Sequence, residues 1–114
     1  MPDKIIVWIG GSFEDLRDFP PEARRVAGYE LRRIQCGSMP TDWKSMPSVG
    51  PGVNEVRIHT GVEHRVLYAA KFEEAVYVLH AFEKKSRQTR DTDLSLARER
   101  LRQVEALRRE GKEK

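Results

Sequence analysis

The sequence contains one cysteine in 114 residues, and this scarcity excludes several kinds of protein. A single cysteine cannot form an internal disulfide, nor can it contribute to a zinc site built from several cysteines. Cys36 ends a predicted helix at an apolar position, so we expect a buried and unreactive thiol. The chain must therefore be stabilised by a hydrophobic core, and its length suits a single domain over residues 1–114.

Long hydrophobic runs are absent as well. The apolar run Ile5–Ile9 is far too short to cross a bilayer, and no cationic region precedes it as in a secretory signal. We therefore expect a soluble protein of a reducing compartment, most simply the cytoplasm, with no membrane partner.

The common signatures of nucleotide-binding and hydrolytic enzymes are also missing. There is no P-loop, no dinucleotide-binding glycine pattern, no H-E-x-x-H motif and no nucleophile elbow. His59, His64 and His80 lack metal-ligand spacing, and no pair of carboxylates stands out for acid–base chemistry, so we expect neither a metal nor a cofactor. His80 lies inside an apolar strand, where we favour a hydrogen-bonded core histidine over a catalytic one.

Positive charge is present and unevenly distributed. Seven Lys and Arg but only four Asp and Glu fall between Arg57 and Arg90, whereas Met1–Cys36 has six of each sign. A local cationic excess suits a polyanionic partner such as nucleic acid, although the net charge of +3 is modest.

The densest positive charge follows the stretch around which the chain is organised, Val76–Thr89. Val76–Leu79 are β-forming apolar residues and predict a buried strand. Thr89 is the predicted N-cap of the following helix. Two interpretations are open, a phosphate-binding site or a solvated turn. The cations concerned are Lys84, Lys85, Arg87 and Arg90.

Hydrophobic periodicity predicts an α+β fold with an antiparallel-rich sheet of about four strands, an N-terminal helical hairpin and a C-terminal helix. The predicted strands are Lys4–Ile9, Asn54–Thr60, His64–Lys71 and Phe72–Phe82. The predicted helices are Phe13–Asp18, Pro21–Cys36 and Asp91–Glu110. We expect the first strand to be covered on both faces and the tail, residues 109–114, to fray.

The segment Gly37–Val53 is predicted to be a long exposed loop, which in a small domain is more often functional or mobile than empty. Trp43 is expected to pack on the sheet edge, with stacking on a nucleic-acid base as the alternative. Lys44 beside it is a candidate phosphate contact.

Short turns make the last three strands antiparallel neighbours, so Arg57 can lie near Arg65, with Lys84–Lys85 alongside. We expect a cluster of Arg and Lys there without carboxylates to coordinate a metal, and this set of residues suits metal-free RNA cleavage. In that reaction the 2′-hydroxyl attacks the adjacent phosphodiester, and the protein supplies proton transfer and positive charge. A lysine serves in proton transfer only when neighbouring cations and desolvation lower its pKa.

Three motifs carry a family resemblance: E-V-R at Glu55–Arg57, H-R-V-L-Y at His64–Tyr68 and H-A-F-E-K-K-S-R-Q-T at His80–Thr89. With the order strand, two helices, three strands and helix, the chain resembles the RelE/HigB-type toxins of bacterial type II toxin–antitoxin modules. More narrowly, it resembles the phage-related branch of the RelE/ParE superfamily. The resemblance covers the chain from Lys4 to Val104.

The resemblance implies a compact α+β fold and metal-independent cleavage of mRNA in the ribosomal A site. It also implies an antitoxin partner, in this branch often a helix-turn-helix DNA-binding protein. Carried over by position, Arg57 and Arg65 would hold the scissile phosphate. Lys84 and Lys85 would supply further charge or proton transfer.

The same resemblance implies that Lys71 and Arg87 make peripheral contacts with the RNA. The chain departs from several relatives because no Tyr or His follows His80, where those relatives place a catalytic residue. His59 is the substitute that we predict for one proton-transfer role. The alternative to a nuclease is a non-catalytic module that binds RNA or protein through the same basic face, including a degenerate toxin that retains only antitoxin binding.

Overall fold

A five-stranded mixed sheet forms the centre of the structure, a computed structural model that describes residues 3–113. The strands are β1 (Ile5–Trp8), β2 (Trp43–Ser45), β3 (Val53–His59), β4 (Glu63–Ala69) and β5 (Ala75–Glu83). The helices are α1 (Ser12–Arg17), α2 (Pro21–Gln35) and α3 (Asp91–Glu113). The predicted α+β class, with a helical pair first and a long helix last, is confirmed.

The strand order is β1-β5-β4-β3-β2, with β1 parallel to β5 and every other pair antiparallel. β3, β4 and β5 are consecutive neighbours because short turns join them, as predicted. We expected β1 to be covered on both faces, and the cover is partial: Ile6 and Trp8 pack half-buried on one face and Val7 on the other. β1 is an edge strand, and the side chain of Ile5 at its start is exposed.

The fifth strand, β2, lies inside the segment that we predicted to be a loop. It pairs with β3, so that Trp43 lies opposite Val56 and Lys44 opposite Glu55. Three residues are too few to show a β alternation in the sequence, and the strand forms because β3 offers an unpaired edge. Trp43 lies at the sheet edge, as expected, and remains partly exposed.

The helices cover the two faces of the sheet unequally. α1 and α2 pack on one face, against alternate residues of β3 such as Val56 and Ile58. α3 packs on the other face, against a second cluster that includes Val53. Alternation along β3 therefore directs Glu55, Arg57 and His59 to the α3 side as well. Among residues 3–113, no helix has the length and apolar character needed to span a membrane.

α3 starts at the predicted residue, Asp91, but its N-cap and its C-terminal end differ from those predicted. The carbonyl of Arg90 accepts the first hydrogen bond, from the amide of Leu94 at 3.1 Å, so Arg90 rather than Thr89 precedes the helix. The helix continues to Glu113, three residues past the predicted end. Lys114, the last residue of the tail that we expect to fray, lies outside the described residues.

Cys36 does not have the buried thiol that we expected. α2 ends at Gln35, one residue earlier than predicted, and Cys36 follows it as an exposed residue. The apolar spacing of α2 therefore stops before the cysteine, and buried residues end at Ile34.

The packing of α3 predicts different costs for two leucines on the same helix. Leu101→Ala should lower the free energy of unfolding by about 2–5 kcal/mol, because Leu101 is buried between α3 and the sheet. Leu107→Ala should change it by less than about 0.5 kcal/mol, because Leu107 is exposed. Urea unfolding measures both, and equal losses would contradict this packing.

Candidate active site

The strand register aligns charged side chains in three rows on the α3 side of the sheet. The first row is Lys44, Glu55, Leu67 and His80. The second row is Arg57, Arg65 and Phe82. The third row is His59 and Glu63, with Lys84 joined to it by a 2.8 Å hydrogen bond from its amide to the carbonyl of Glu63. The ends of β3 and β5 and the start of β4 thus concentrate charge at one end of the sheet.

Arg57 and Arg65 lie directly opposite each other on β3 and β4, the proximity that the short turn predicted. Like charges in this position repel, so the pair needs a counter-ion. Glu55 provides it, because its Oε1 lies 3.5 Å from Nε of both arginines. A buried carboxylate therefore lies between the two arginines, a contact that the sequence analysis did not predict.

Arg65 is the more constrained of the two arginines. Its side chain is 6% exposed, compared with 32% for Arg57. Its Nη1 lies 3.0 Å from Oε1 of Glu63 and donates to the carbonyl of His64 at 3.0 Å. Its Nε is close enough to Glu55 for an ion pair but lacks hydrogen-bond geometry. Arg65 is consequently held beneath the surface, while Arg57 reaches it.

An open groove of about 440 Å³ lies over this charged end of the sheet. Its walls are β2 with the residues that follow, β3, the segment between β5 and α3, and the first turn of α3. The predicted site residues that line it are Lys44, Arg57, Lys84 and Arg87. Its two carboxylates are Glu55 and Asp91. We call these six side chains, with the space between them, the basic groove.

Three further predicted site residues lie outside the basic groove: Lys85, predicted for charge or proton transfer, and Arg90 and Lys71, predicted as RNA contacts. Lys85 is largely exposed, 3.8 Å from the carboxylate of Glu83, and Arg90 pairs with Asp93 at 3.2 Å. Lys71 follows the opposite end of β4, with Nζ 5.0 Å from the centre of the Phe72 ring. The roles of Lys85, Arg90 and Lys71 remain predictions.

His59 lies at the border of the charged rows, held between two carboxylates. Its Nε2 is 2.6 Å from Oδ2 of Asp42, and its Nδ1 is 2.7 Å from Oε2 of Glu63. The hydrogen bond to Asp42, and next that to Glu63, raises the pKa of the His59 imidazole. The hydrogen bond between His59 and Glu63 in turn lowers the pKa of the Glu63 carboxyl. The arrangement favours an imidazolium that ties the residue before β2 to the β3–β4 turn.

His80 has the surroundings of a core histidine, the interpretation that the sequence favoured. It is buried, its Nε2 lies 2.8 Å from Oδ1 of Asp93, and its ring stacks on Phe82. This contact fastens β5 to the first turn of α3. Among residues 3–113, no three or more His, Cys, Asp or Glu side chains are grouped so as to hold a metal ion.

Glu55 is the important residue that sequence reasoning missed. Alternation along β3 places it on the same side as Arg57 and His59, so one signal was available in the sequence. Its burial and its contact with Arg65 on the neighbouring strand depend on the register of β3 against β4. That register is set by the whole sheet rather than by the local motif.

The fold and the basic groove define a small α+β protein suited to binding an anionic ligand at one end of its sheet. Residues 14–102 match the family described as phage derived protein Gp49-like (DUF891). The chain belongs to this family, which is a RelE-like, toxin-like family. A search of curated proteins finds no match to the chain.

The two carboxylates beside His59 predict a measurable titration. NMR should give His59 a pKa above its ordinary value of 6.5, and Asp42→Asn should lower that pKa. A raised pKa in the folded state means that this contact stabilises the protein fully below pH 6.5. The contribution is lost as the pH rises through the pKa of folded His59. In His59→Gln this component of the pH dependence should vanish, and a wild-type pKa at or below 6.5 would contradict the contact.

Proposed function

We propose that this protein is the HigB-like toxin of a bacterial type II toxin–antitoxin module and cleaves translated mRNA as a metal-independent endoribonuclease. The observation that carries the proposal is the convergence of Lys44, Arg57, Lys84 and Arg87 on one groove. They come from β2, β3 and the segment after β5. Membership of a RelE-like, toxin-like family supports the same conclusion.

The groove suits a phosphodiester because its cations surround a space of a few hundred Å³ without enclosing it. A guanidinium binds two phosphoryl oxygens at once, and Arg57 is the exposed arginine that presents such a fork. Attack by the 2′-hydroxyl adds negative charge to the phosphoryl oxygens, and fixed cations nearby stabilise that charge. Lys84 and Arg87 supply positive charge from the wall opposite β3.

The remaining predicted site residues take supporting roles in this proposal. Arg65 is fixed by Glu55 and Glu63 and adds positive charge beneath the groove. Lys85 lies beside the groove and extends the positive surface along an RNA strand. His59, as an imidazolium between two carboxylates outside the groove, is poorly placed to act as the proton acceptor.

The cellular partners follow from the toxin-like family. A toxin of this kind requires an antitoxin, and we propose a small helix-turn-helix DNA-binding protein in the bacterial cytoplasm. The ribosome presents the substrate, since an open groove by itself holds only a short piece of single-stranded message. Inhibition then requires the antitoxin either to cover the basic groove or to block entry of the toxin into the ribosome.

A second candidate function is binding of RNA or of an acidic protein without cleavage. The observation that favours it is that, within the described chain, none of the three histidines lines the groove. Its wall side chains could hold an anion while leaving the phosphodiester intact.

Induced expression in bacteria, with growth recorded and mRNA 5′ ends mapped, tests the proposal. The wild type should arrest growth and produce in-frame breaks in translated messages. Arg57→Ala and Lys84→Ala should each reduce cleavage about 10-fold to 100-fold, because a hydrogen bond to a charged group contributes about 1.5–3 kcal/mol. Arg25→Ala, which removes an exposed cation from α2 on the other face of the sheet, should leave cleavage unchanged.

Two results would oppose the proposal in different ways. Normal growth and intact messages in cells that contain folded wild-type protein would favour the binding function. Growth arrest that survives the double change Arg57→Ala, Lys84→Ala would show that the basic groove is not the active site.

A further inference from the structure

Glu55 places a buried carboxylate at the floor of the basic groove. Its side chain is 2% exposed, yet it lines the groove together with Lys44 and Arg57. Oε1 is shared by the two arginines, but Oε2 has no hydrogen-bond partner among residues 3–113. A buried carboxylate oxygen without a donor is costly, so this atom is suited to accept a hydrogen bond from a ligand.

Arg65 supplies the complementary donor. Its Nε is buried and, in the same part of the chain, has no acceptor in hydrogen-bond geometry. Oε2 of Glu55 and Nε of Arg65 thus both remain unmatched, and this Nε lies 3.5 Å from the other oxygen of the same carboxylate, Oε1. A ligand that carries a hydroxyl next to a phosphoryl oxygen satisfies both, and a ribose 2′-hydroxyl beside its 3′-phosphate has this arrangement.

We propose that Glu55 is the proton acceptor of the cleavage reaction, an inference that rests on the proposed nuclease function. The 2′-hydroxyl proton moves to Oε2 of Glu55 while the 2′-oxygen bonds to phosphorus. The bond from phosphorus to the 5′-oxygen breaks, and that oxygen takes a proton from the Lys84 ammonium. The products are a 2′,3′-cyclic phosphate and a 5′-hydroxyl. Water then removes the proton from Glu55 and returns one to Lys84.

Arg57 controls access to this carboxylate. It is the more exposed partner of Glu55, and its Nε lies 3.5 Å from Oε1. A phosphate that enters the groove competes with Glu55 for the guanidinium. Movement of Arg57 toward the phosphate uncovers Glu55 where the 2′-hydroxyl lies, so substrate binding exposes the proton acceptor.

The other possible acceptors are less well placed. Asp91 lines the groove but is exposed in the first turn of α3. Within residues 3–113 it forms no ion pair with Arg57 or Arg65. His59 is occupied by two carboxylates. Among the acceptors that the structure describes, Glu55 alone combines burial, an unmatched oxygen and contact with both arginines.

The test is single-turnover cleavage of a ribosome-bound message by the purified protein. Glu55→Gln should lower the rate about 100-fold or more, the usual contribution of a general base. Glu83→Gln, the same change at an exposed position outside the groove, should leave the rate unchanged. Binding of a message with 2′-deoxyribose at the cleaved position should not weaken in Glu55→Gln, because the change removes negative charge from an anion-binding groove.

The pH dependence of the rate distinguishes proton transfer from a structural role. The wild-type rate should rise with pH on the acidic side, and this rise should be lost in Glu55→Gln but kept in Glu55→Asp and Glu83→Gln. The charged groups that face Glu55 from the surrounding elements are Lys44, Arg57, Glu63, Arg65, Lys84, Arg87 and Asp91. Because Asp91 is the other carboxylate of the groove, Asp91→Asn is measured in parallel.

Each outcome has one meaning. If the wild type cleaves no message, the proposed function fails, and the role of Glu55 fails with it before any variant is made. If the wild type cleaves and Glu55→Gln cleaves equally well, only the role of Glu55 is overturned. The role of Glu55 is also overturned if Glu55→Gln weakens binding of the message as much as it lowers the cleavage rate. It is overturned as well if Asp91→Asn, and not Glu55→Gln, removes the rise of the rate with pH. If Glu55→Gln unfolds at a lower temperature than the wild type, Glu55→Asp decides the question. In that variant the cleavage rate must still rise with pH on the acidic side, with a changed midpoint.

Discussion

The carboxylate of Glu55 is the counter-ion that lets two arginines face each other on neighbouring strands. Opposed guanidinium groups repel, and Arg65 is too deeply buried for water to screen that repulsion. One shared oxygen neutralises part of both charges and fixes Arg65 below the surface. Arg57 is left partly exposed beside Lys44 and Lys84. The shape and charge of the basic groove therefore depend on a residue that contributes almost no exposed surface.

Two histidine–carboxylate contacts hold the borders of this arrangement. His59 joins Asp42, just before β2, to the β3–β4 turn, and His80 joins β5 to the first turn of α3. The short strand β2 has few backbone hydrogen bonds of its own, so the contact at Asp42 helps to keep Lys44 beside β3. Between β5 and α3, Lys85 lies near Glu83 and Arg90 pairs with Asp93. The side chains of Lys84 and Arg87 form no ion pair within the described part of the chain, so they can adjust to a ligand. A rigid sheet end and an adjustable wall together suit a substrate that must be both held and released.

Much of the fold was accessible from the sequence because it rests on local patterns. Short turns fix the order of β3, β4 and β5, so the opposition of Arg57 and Arg65 followed from hairpin geometry. β2 was not accessible, because three residues carry no periodicity and their pairing is decided by the free edge of β3. The exposure of Cys36 escaped prediction because α2 ends one residue before it. The contact of Glu55 with Arg65 requires knowing the register and the burial at once, and no local motif contains both.

The neutralised state of the arginines also bears on which nucleic acid the groove accepts. A phosphate that draws Arg57 away from Glu55 leaves a buried carboxylate with one counter-ion fewer, which opposes binding. A ligand that provides a hydroxyl to the carboxylate recovers part of this cost, whereas one that provides only a phosphate does not. RNA carries such a hydroxyl next to every internal phosphate, and DNA does not. In the proposed reaction, the buried carboxylate between the arginines would therefore favour RNA over DNA at the phosphate that Arg57 binds.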